Sequence, residues 1–162
     1  MKLNRLLPLN LLFLPLLALA GSASAGGMDS APGAFEVTLS REACYGFCPV
    51  YTVRANGDGQ VRWQGGQHVQ QVGAAQARVS PARVAALKAT AQAIHFFALK
   101  NEYLDMAVSD LPYASVTVRL GNAVKTVRYY RGDRNVPAAL LRFADQIDRE
   151  LNTAAWIGKK NF

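Results

Sequence analysis

From Phe35 the chain alternates apolar and polar positions: Phe35, Val37 and Leu39 against Glu36, Thr38 and Ser40. Period two is the signature of a strand with one buried face. Val50 to Ala55 is β-branched and aromatic, Asn56-Gly57-Asp58-Gly59 supplies a turn, and Gln60 to Gln64 resumes strand character around Val61 and Trp63, which predicts a hairpin. Gly65-Gly66 offers a second tight turn before a strand over Gln67 to Val72, and a two-residue loop there sets Trp63 across from His68. The expectation is a meander of three or four antiparallel strands. The Asn-Gly-Asp-Gly stretch lacks the ligand spacing and distal glutamate of a calcium loop, so it reads as turn chemistry.

The period then changes. Ser80-Pro81 has the form of a helix start, with a side-chain acceptor followed by a proline that loses nothing in the first turn. Val84, Leu87, Ala91 and Ile94 recur every three or four residues, so one face of this helix packs on the sheet, and Phe96, Phe97 and Leu99 continue the apolar cover. His95 falls at the edge of that face, as a partly buried structural histidine. Asn101 to Asp110 reads as a connecting loop in which Tyr103 packs by its ring.

Tyr113 to Leu120, a Gly121-Asn122 turn and Ala123 to Tyr130 form the clearest hairpin. A two-residue loop sets Val116 opposite Val127 and Val118 opposite Lys125 on a core face. Thr117 then faces Thr126 and Ser115 faces Arg128 on a polar, basic face that also carries Arg119. Arg131 to Asn135 is a loop, and Pro137 opens a second helix with Leu140, Ala144, Ile147 and Leu151 as its stripe and Phe143 beside it. Arg142, Asp145, Asp148 and Arg149 fall on its solvated side, and Trp156-Ile157 reads as an apolar clasp before Gly158. Meander, helix, hairpin, helix predicts an α+β fold: an antiparallel sheet with both helices on one face.

The segment before Phe35 changes the compartment. Residues 1–25 follow a secretory pattern, with Lys2 and Arg5 at the start, an apolar run from Leu11 to Ala20, and small residues at Ala23-Ser24-Ala25. The run is broken by Pro15 and too short for a membrane span, and no second long apolar run follows, so no stable span is expected after cleavage. A flexible leader over 26–34, one globular domain over 35–158 and a tail over 159–162 are expected, in the periplasm or outside the cell. The whole chain has 162 residues and a formal net charge of +7. The secretory segment carries two of the 18 basic residues and none of the 11 acidic ones, so the remaining excess is moderate and fits a solvated basic surface or attraction to an anionic polymer.

Cys44-Tyr45-Gly46-Phe47-Cys48-Pro49-Val50-Tyr51 is the densest chemistry in the chain. In an oxidising space an isolated pair of cysteines at short spacing reads as a disulfide. Closing a five-residue ring restricts the unfolded chain by only about 2 kcal/mol, so its value is local shape. The same pair could instead run thiol exchange or hold Cu(I) with His68 or His95, because Cys-x-x-x-Cys-Pro is similar to the metal-binding motif of periplasmic copper-delivery proteins with a thioredoxin fold. In that family the second cysteine enters a helix, whereas the residues after Cys48 read as a strand. Zinc is weaker still, since tetrahedral closure needs four ligands and would take both cysteines and both histidines of the chain. No nucleophile elbow, carboxylate pair or phosphate loop supports catalysis, and no cofactor is expected. The patterns argue against an enzyme.

Cys44-Tyr45-Gly46-x-Cys48-Pro49-x-Tyr51, the Asp58-Gly59 turn followed by Val61, Phe97 to Tyr103, Asp110-x-Pro112, Ile147-Asp148 and Trp156-Ile157-Gly158 together resemble one bacterial family, catalogued as domain of unknown function 6438. The resemblance runs from about Phe35 to Gly158 and departs from the family after Tyr130, at Arg131, Asp133 and Arg134. It implies a single exported or envelope-associated domain and brings no activity, substrate or catalytic residue. Three readings follow from the residues. In the first, a Cys44–Cys48 disulfide braces a loop that presents Tyr45, Phe47 and Tyr51 to a partner protein or envelope ligand; the counterpart is that Phe47 and Tyr51 pack in the core. In the second, the cysteines handle thiols or copper. In the third, Arg119, Arg128, Arg131 and Arg134 hold an anionic envelope polymer. Nucleic acid is not expected, because no aromatic residues interleave on that face.

Overall fold

The computed structural model describes residues 34–105 and 110–158. The expected secretory segment, nearly all of the leader, the tail and residues 106–109 of the connecting loop lie outside the described residues. Four strands come first: β1 (Phe35–Arg41), β2 (Tyr51–Asn56), β3 (Gln60–Gly65) and β4 (Gly73–Arg78). Then follow α1 (Pro81–Ala93), a 3-10 turn over Phe96–Ala98, and β5 (Glu102–Tyr103). The described residues end with β6 (Tyr113–Leu120), β7 (Ala123–Tyr130), α2 (Ala138–Glu150) and a short α3 (Ala154–Ile157).

The strands make one sheet in the order β4-β3-β2-β1-β6-β7-β5. Every neighbour pair is antiparallel except β5 with β7. The fold is therefore α+β. β1 sits between the meander and the second hairpin, and its alternation decides which face is buried. Val37, Leu39, Val53, Val61, Val116, Val118 and Val127 line one face, against Val84, Leu87 and Ala91 of α1 and Leu140, Phe143, Ala144 and Ile147 of α2. Both helices thus lie on one face, as their stripes require. The β6–β7 register is the expected one, with Val116 opposite Val127, Val118 opposite Lys125, Thr117 opposite Thr126 and Ser115 opposite Arg128.

Helix ends follow their chemistry. Ser80 Oγ accepts from the Ala82 amide at 3.3 Å at the start of α1, and Pro137 stands at the N-cap of α2. Gly59 closes the β2–β3 turn with φ +79, and a Cβ there would lie 2.1 Å from the Val79 carbonyl oxygen. Only glycine meets both demands.

Four expectations need correction. Gln67 to Val72 is a loop, and β3 pairs with β4 so that Trp63 lies opposite Ala75, not His68. The loop's backbone is already committed: Val50 donates to the Gln67 carbonyl at 2.9 Å, Gln70 to Ile157 at 3.1 Å and Gln71 to Trp156 at 2.9 Å. His95 is exposed, in a left-handed conformation that caps the 3-10 turn. Glu102–Tyr103, expected as loop, forms a two-residue parallel strand on β7, which buries Tyr103. Asp148, expected on a solvated face, has only 20% of its side chain exposed and is ion-paired.

Candidate functional site: the disulfide ring and its anchors

β1 ends at Arg41 and β2 begins at Tyr51, directly opposite it in the ladder. Period two therefore places both side chains on the helix-covered face, and both reach α2. Asp148 meets them there. Arg41 Nη2 donates to Asp148 Oδ2 at 2.6 Å and Arg41 Nε to the same oxygen at 3.0 Å. Tyr51 donates its hydroxyl to Asp148 Oδ1 at 2.6 Å while accepting from Arg41 Nε at 3.0 Å. Thr153, in the α2–α3 turn, donates to Asp148 Oδ1 at 2.9 Å. Asp145, one helical turn back, takes a further Arg41 contact at 3.1 Å.

A charge cluster so far from water must be fully paired to persist. The Arg41 side chain is 12% exposed. Burial alone would lower its pKa; Asp148 beside it reverses that, and the net direction is up. Burial raises the Tyr51 hydroxyl, and the Asp148 carboxylate raises it further against the opposing pull of Arg41. Tyr51 therefore works as a donor held in its neutral form. Its ring stacks on Trp63 at 4.6 Å, and Trp63 lies 5.2 Å from Trp156. Trp63 Nε1 donates to the Gln71 carbonyl at 2.9 Å, so the aromatic column also holds the 66–72 loop.

Between these anchors the chain makes its ring. Cys44 and Cys48 are disulfide-bonded with their Cα atoms 5.7 Å apart. Gly46 has φ +150 and donates its amide to the Cys44 carbonyl at 2.9 Å, a tight reversal that suits a residue without Cβ. Tyr45 is 89% exposed and Phe47 77% exposed. Phe47 meets His68 edge-on, with ring centroids 5.2 Å apart. Glu42, at the base of the ring, accepts two donors from Arg128, whose guanidinium lies 4.7 Å from the centre of the Tyr113 ring. Glu42 raises the Arg128 pKa first by hydrogen bonding and then by charge.

The expected site residues thus separate. Tyr45 and Phe47 share the exposed ring. Tyr51 is 3% exposed and cannot be a surface contact; it packs in the core, because the strand begins at Tyr51 on its buried phase. Arg119 and Arg128 occupy the open sheet face four ladder positions apart, about 13 Å along the strands. Arg131 and Arg134 are exposed in the turn after β7. The chain after Cys48 enters β2 through Pro49 and Val50, with no helix in that position. Among the described residues no three His, Cys, Asp or Glu side chains come together to hold a metal ion, and no helix is long and apolar enough to cross a membrane. Arg41, Asp148, Thr153, Trp63 and Trp156 were not anticipated as parts of this site. One signal was available: Arg41 continues the buried phase of Phe35, Val37 and Leu39, and a cation there needs a partner from another element.

No curated protein matches the chain. A family profile matches residues 35–151, from β1 through the end of α2, and leaves Trp156 to Gly158 outside the matched span. The chain belongs to the family described as a domain of unknown function (DUF6438).

Proposed function

We propose that this is a non-enzymatic, exported binding domain that docks a partner protein through the Cys44–Cys48 ring, with Tyr45 and Phe47 as its contacts. The observation that supports it most is the contrast between ring and stems. Two large aromatic side chains stand almost fully in solvent on a ring closed by a disulfide, while the residues on either side are tied to one carboxylate of α2. Rigid aromatic anchors are what a binding hot spot needs. Export is supported by the secretory pattern of residues 1–25 and by the paired cysteines.

The test places a photo-crosslinking residue at position 45 or 47 of the full-length protein expressed in its native envelope, with Lys88 on α1 as the control position. A discrete adduct from 45 and 47, absent from 88 and lost in Cys44→Ser/Cys48→Ser, is the expected result. Equal labelling from all three positions overturns the reading. So does a pair that opens at a mild potential in graded glutathione buffers or retains copper, which would make the cysteines the working chemistry.

A further inference from the structure

At the far edge of the sheet from β5, β4 pairs on one side only. Val79 donates to the Gly59 carbonyl at 2.8 Å, which sets the phase of the β3–β4 ladder. Gly73, Ala75, Ala77 and Val79 turn their backbone groups to β3, so Ala74, Gln76 and Arg78 turn theirs outward. Ala74, Gln76 and Arg78 are exposed, and among the described residues no strand pairs with them on that side. The edge also carries little that blocks pairing: its sequence is Gly-Ala-Ala-Gln-Ala-Arg, without proline or an acidic residue.

Beside this edge runs a groove of about 450 Å³. Leu151, Ala155 and Trp156 give it an apolar floor, and Arg78 and Arg83 are the charged residues among those that line it; opposite Gln60 in the ladder, Arg78 has the phase of the sheet's open face, where it meets the alternate side chains of an added strand that do not enter the groove. Arg83 is fixed in place by Glu150 at 2.9 Å and by the Arg149 carbonyl at 2.6 Å. Among the described residues Arg78 reaches back only to the Asp58 carbonyl, at 3.3 Å. The small alanine side chains of β4 leave room on the helix side for the side chains of an added strand.

We infer that β4 is the docking edge for an extended acidic peptide segment of a partner protein, which adds as an eighth strand and sends alternate side chains into the groove. Backbone pairing supplies affinity in this mode and the side-chain pockets supply selectivity. Charge decides against a second copy of this chain as the occupant. Two copies would bring basic edges together, and a six-residue strand pair alone covers less than the roughly 1,000 Å² a stable dimer needs. This surface shares Trp156 with the aromatic column but includes no residue of the disulfide ring, so docking at the ring and docking at this edge can fail independently.

The test uses the mature protein, isotopically labelled, with two acetylated heptapeptide probes: valine alternating with glutamate, and valine alternating with lysine. Amide exchange and titration are read at low salt. The glutamate peptide is expected to slow exchange at Ala74, Gln76 and Arg78 by about ten-fold or more, and to bind about ten-fold more tightly than the lysine peptide. Gln76→Pro removes an outward donor and no bond to β3, so it is expected to abolish binding with its melting temperature little changed. Arg78→Glu keeps the backbone edge and is expected to reverse the preference between the peptides. Three results overturn the proposal: no slowing at these amides, equal binding of both peptides, or slowing that grows with protein concentration in the absence of peptide.

Discussion

Replacing Asp148 by alanine removes the carboxylate on which β1, β2 and α2 converge. Arg41 loses two donor contacts to it, Tyr51 loses the acceptor of its 2.6 Å bond and Thr153 loses a fourth contact. Removing one partner of a buried ion pair costs about 3–5 kcal/mol, and single bonds to a charged group about 1.5–3 kcal/mol, not additively. Asp145 remains and still contacts Arg41, so the loss is expected at about 2–4 kcal/mol. For a domain of this size that lowers the melting temperature by roughly 8–15 °C. Chemical denaturation of Asp148→Ala, Arg41→Met and the double variant gives the coupling, expected at about 1.5–3 kcal/mol. Asp145→Ala is the control; its side chain is 52% exposed, and its cost is expected below about 0.5 kcal/mol. A loss for Asp148→Ala as small as the control's, or a coupling near zero, would show these to be solvated surface charges and the anchoring argument to be wrong.

Cys44→Ser/Cys48→Ser is expected to lose about 2 kcal/mol and no more, with faster amide exchange confined to 42–50, because the stems stay tied to Asp148; global unfolding of that variant would refute the separation of ring and anchor. Gly59→Ala meets both a positive φ and the Val79 carbonyl at 2.1 Å, and is expected to cost more than about 2 kcal/mol in denaturant titration. Tyr51 and Tyr129 both have raised pKa values through burial, so the stability they confer is complete below the ordinary tyrosine value near 10 and is lost as the pH rises above it; Tyr51→Phe should flatten that alkaline decline. Asp133 has its pKa lowered by the Asn135 and then the Asp105 amides, so its contribution is present above the ordinary carboxylate range and is lost in acid. The deficit of Asp133→Asn should therefore close as the pH falls, which thermal melts across the acid range would read.

The sequence was most legible where a single period ran unbroken between clear turns. β6 and β7 have eight residues each around Gly121-Asn122, and a two-residue turn leaves one register that buries Val116, Val118 and Val127. β4 was illegible for the opposite reason. Gly73 to Arg78 has little strand propensity, and what makes it a strand is the ladder offered by β3. The tryptophan column was hidden too: Trp63 and Trp156 lie far apart in sequence and meet where the 66–72 loop hands its backbone to α3. Asp148 misled because a helix's polar side is usually wet. Its position next to Ile147, at the margin of the stripe, sets it under the end of β1, where Arg41 arrives on the buried phase.

In the proposed docking role, ring and anchors divide two jobs that a flexible loop would have to perform together. An ordered residue costs about 1–2 kcal/mol of backbone freedom, and a loop that orders on contact subtracts that from its affinity. Here the cost is met on folding. The Arg41 and Tyr51 stems are fixed by Asp148, and the disulfide fixes what lies between. Tyr45 and Phe47 then project from that backbone into solvent, with Phe47 keeping one edge-on contact to His68. On the proposed docking role, Tyr45→Ala and Phe47→Ala are expected to weaken docking with almost no effect on stability, whereas Asp148→Ala is expected to act on stability first and on docking through the loosened stems.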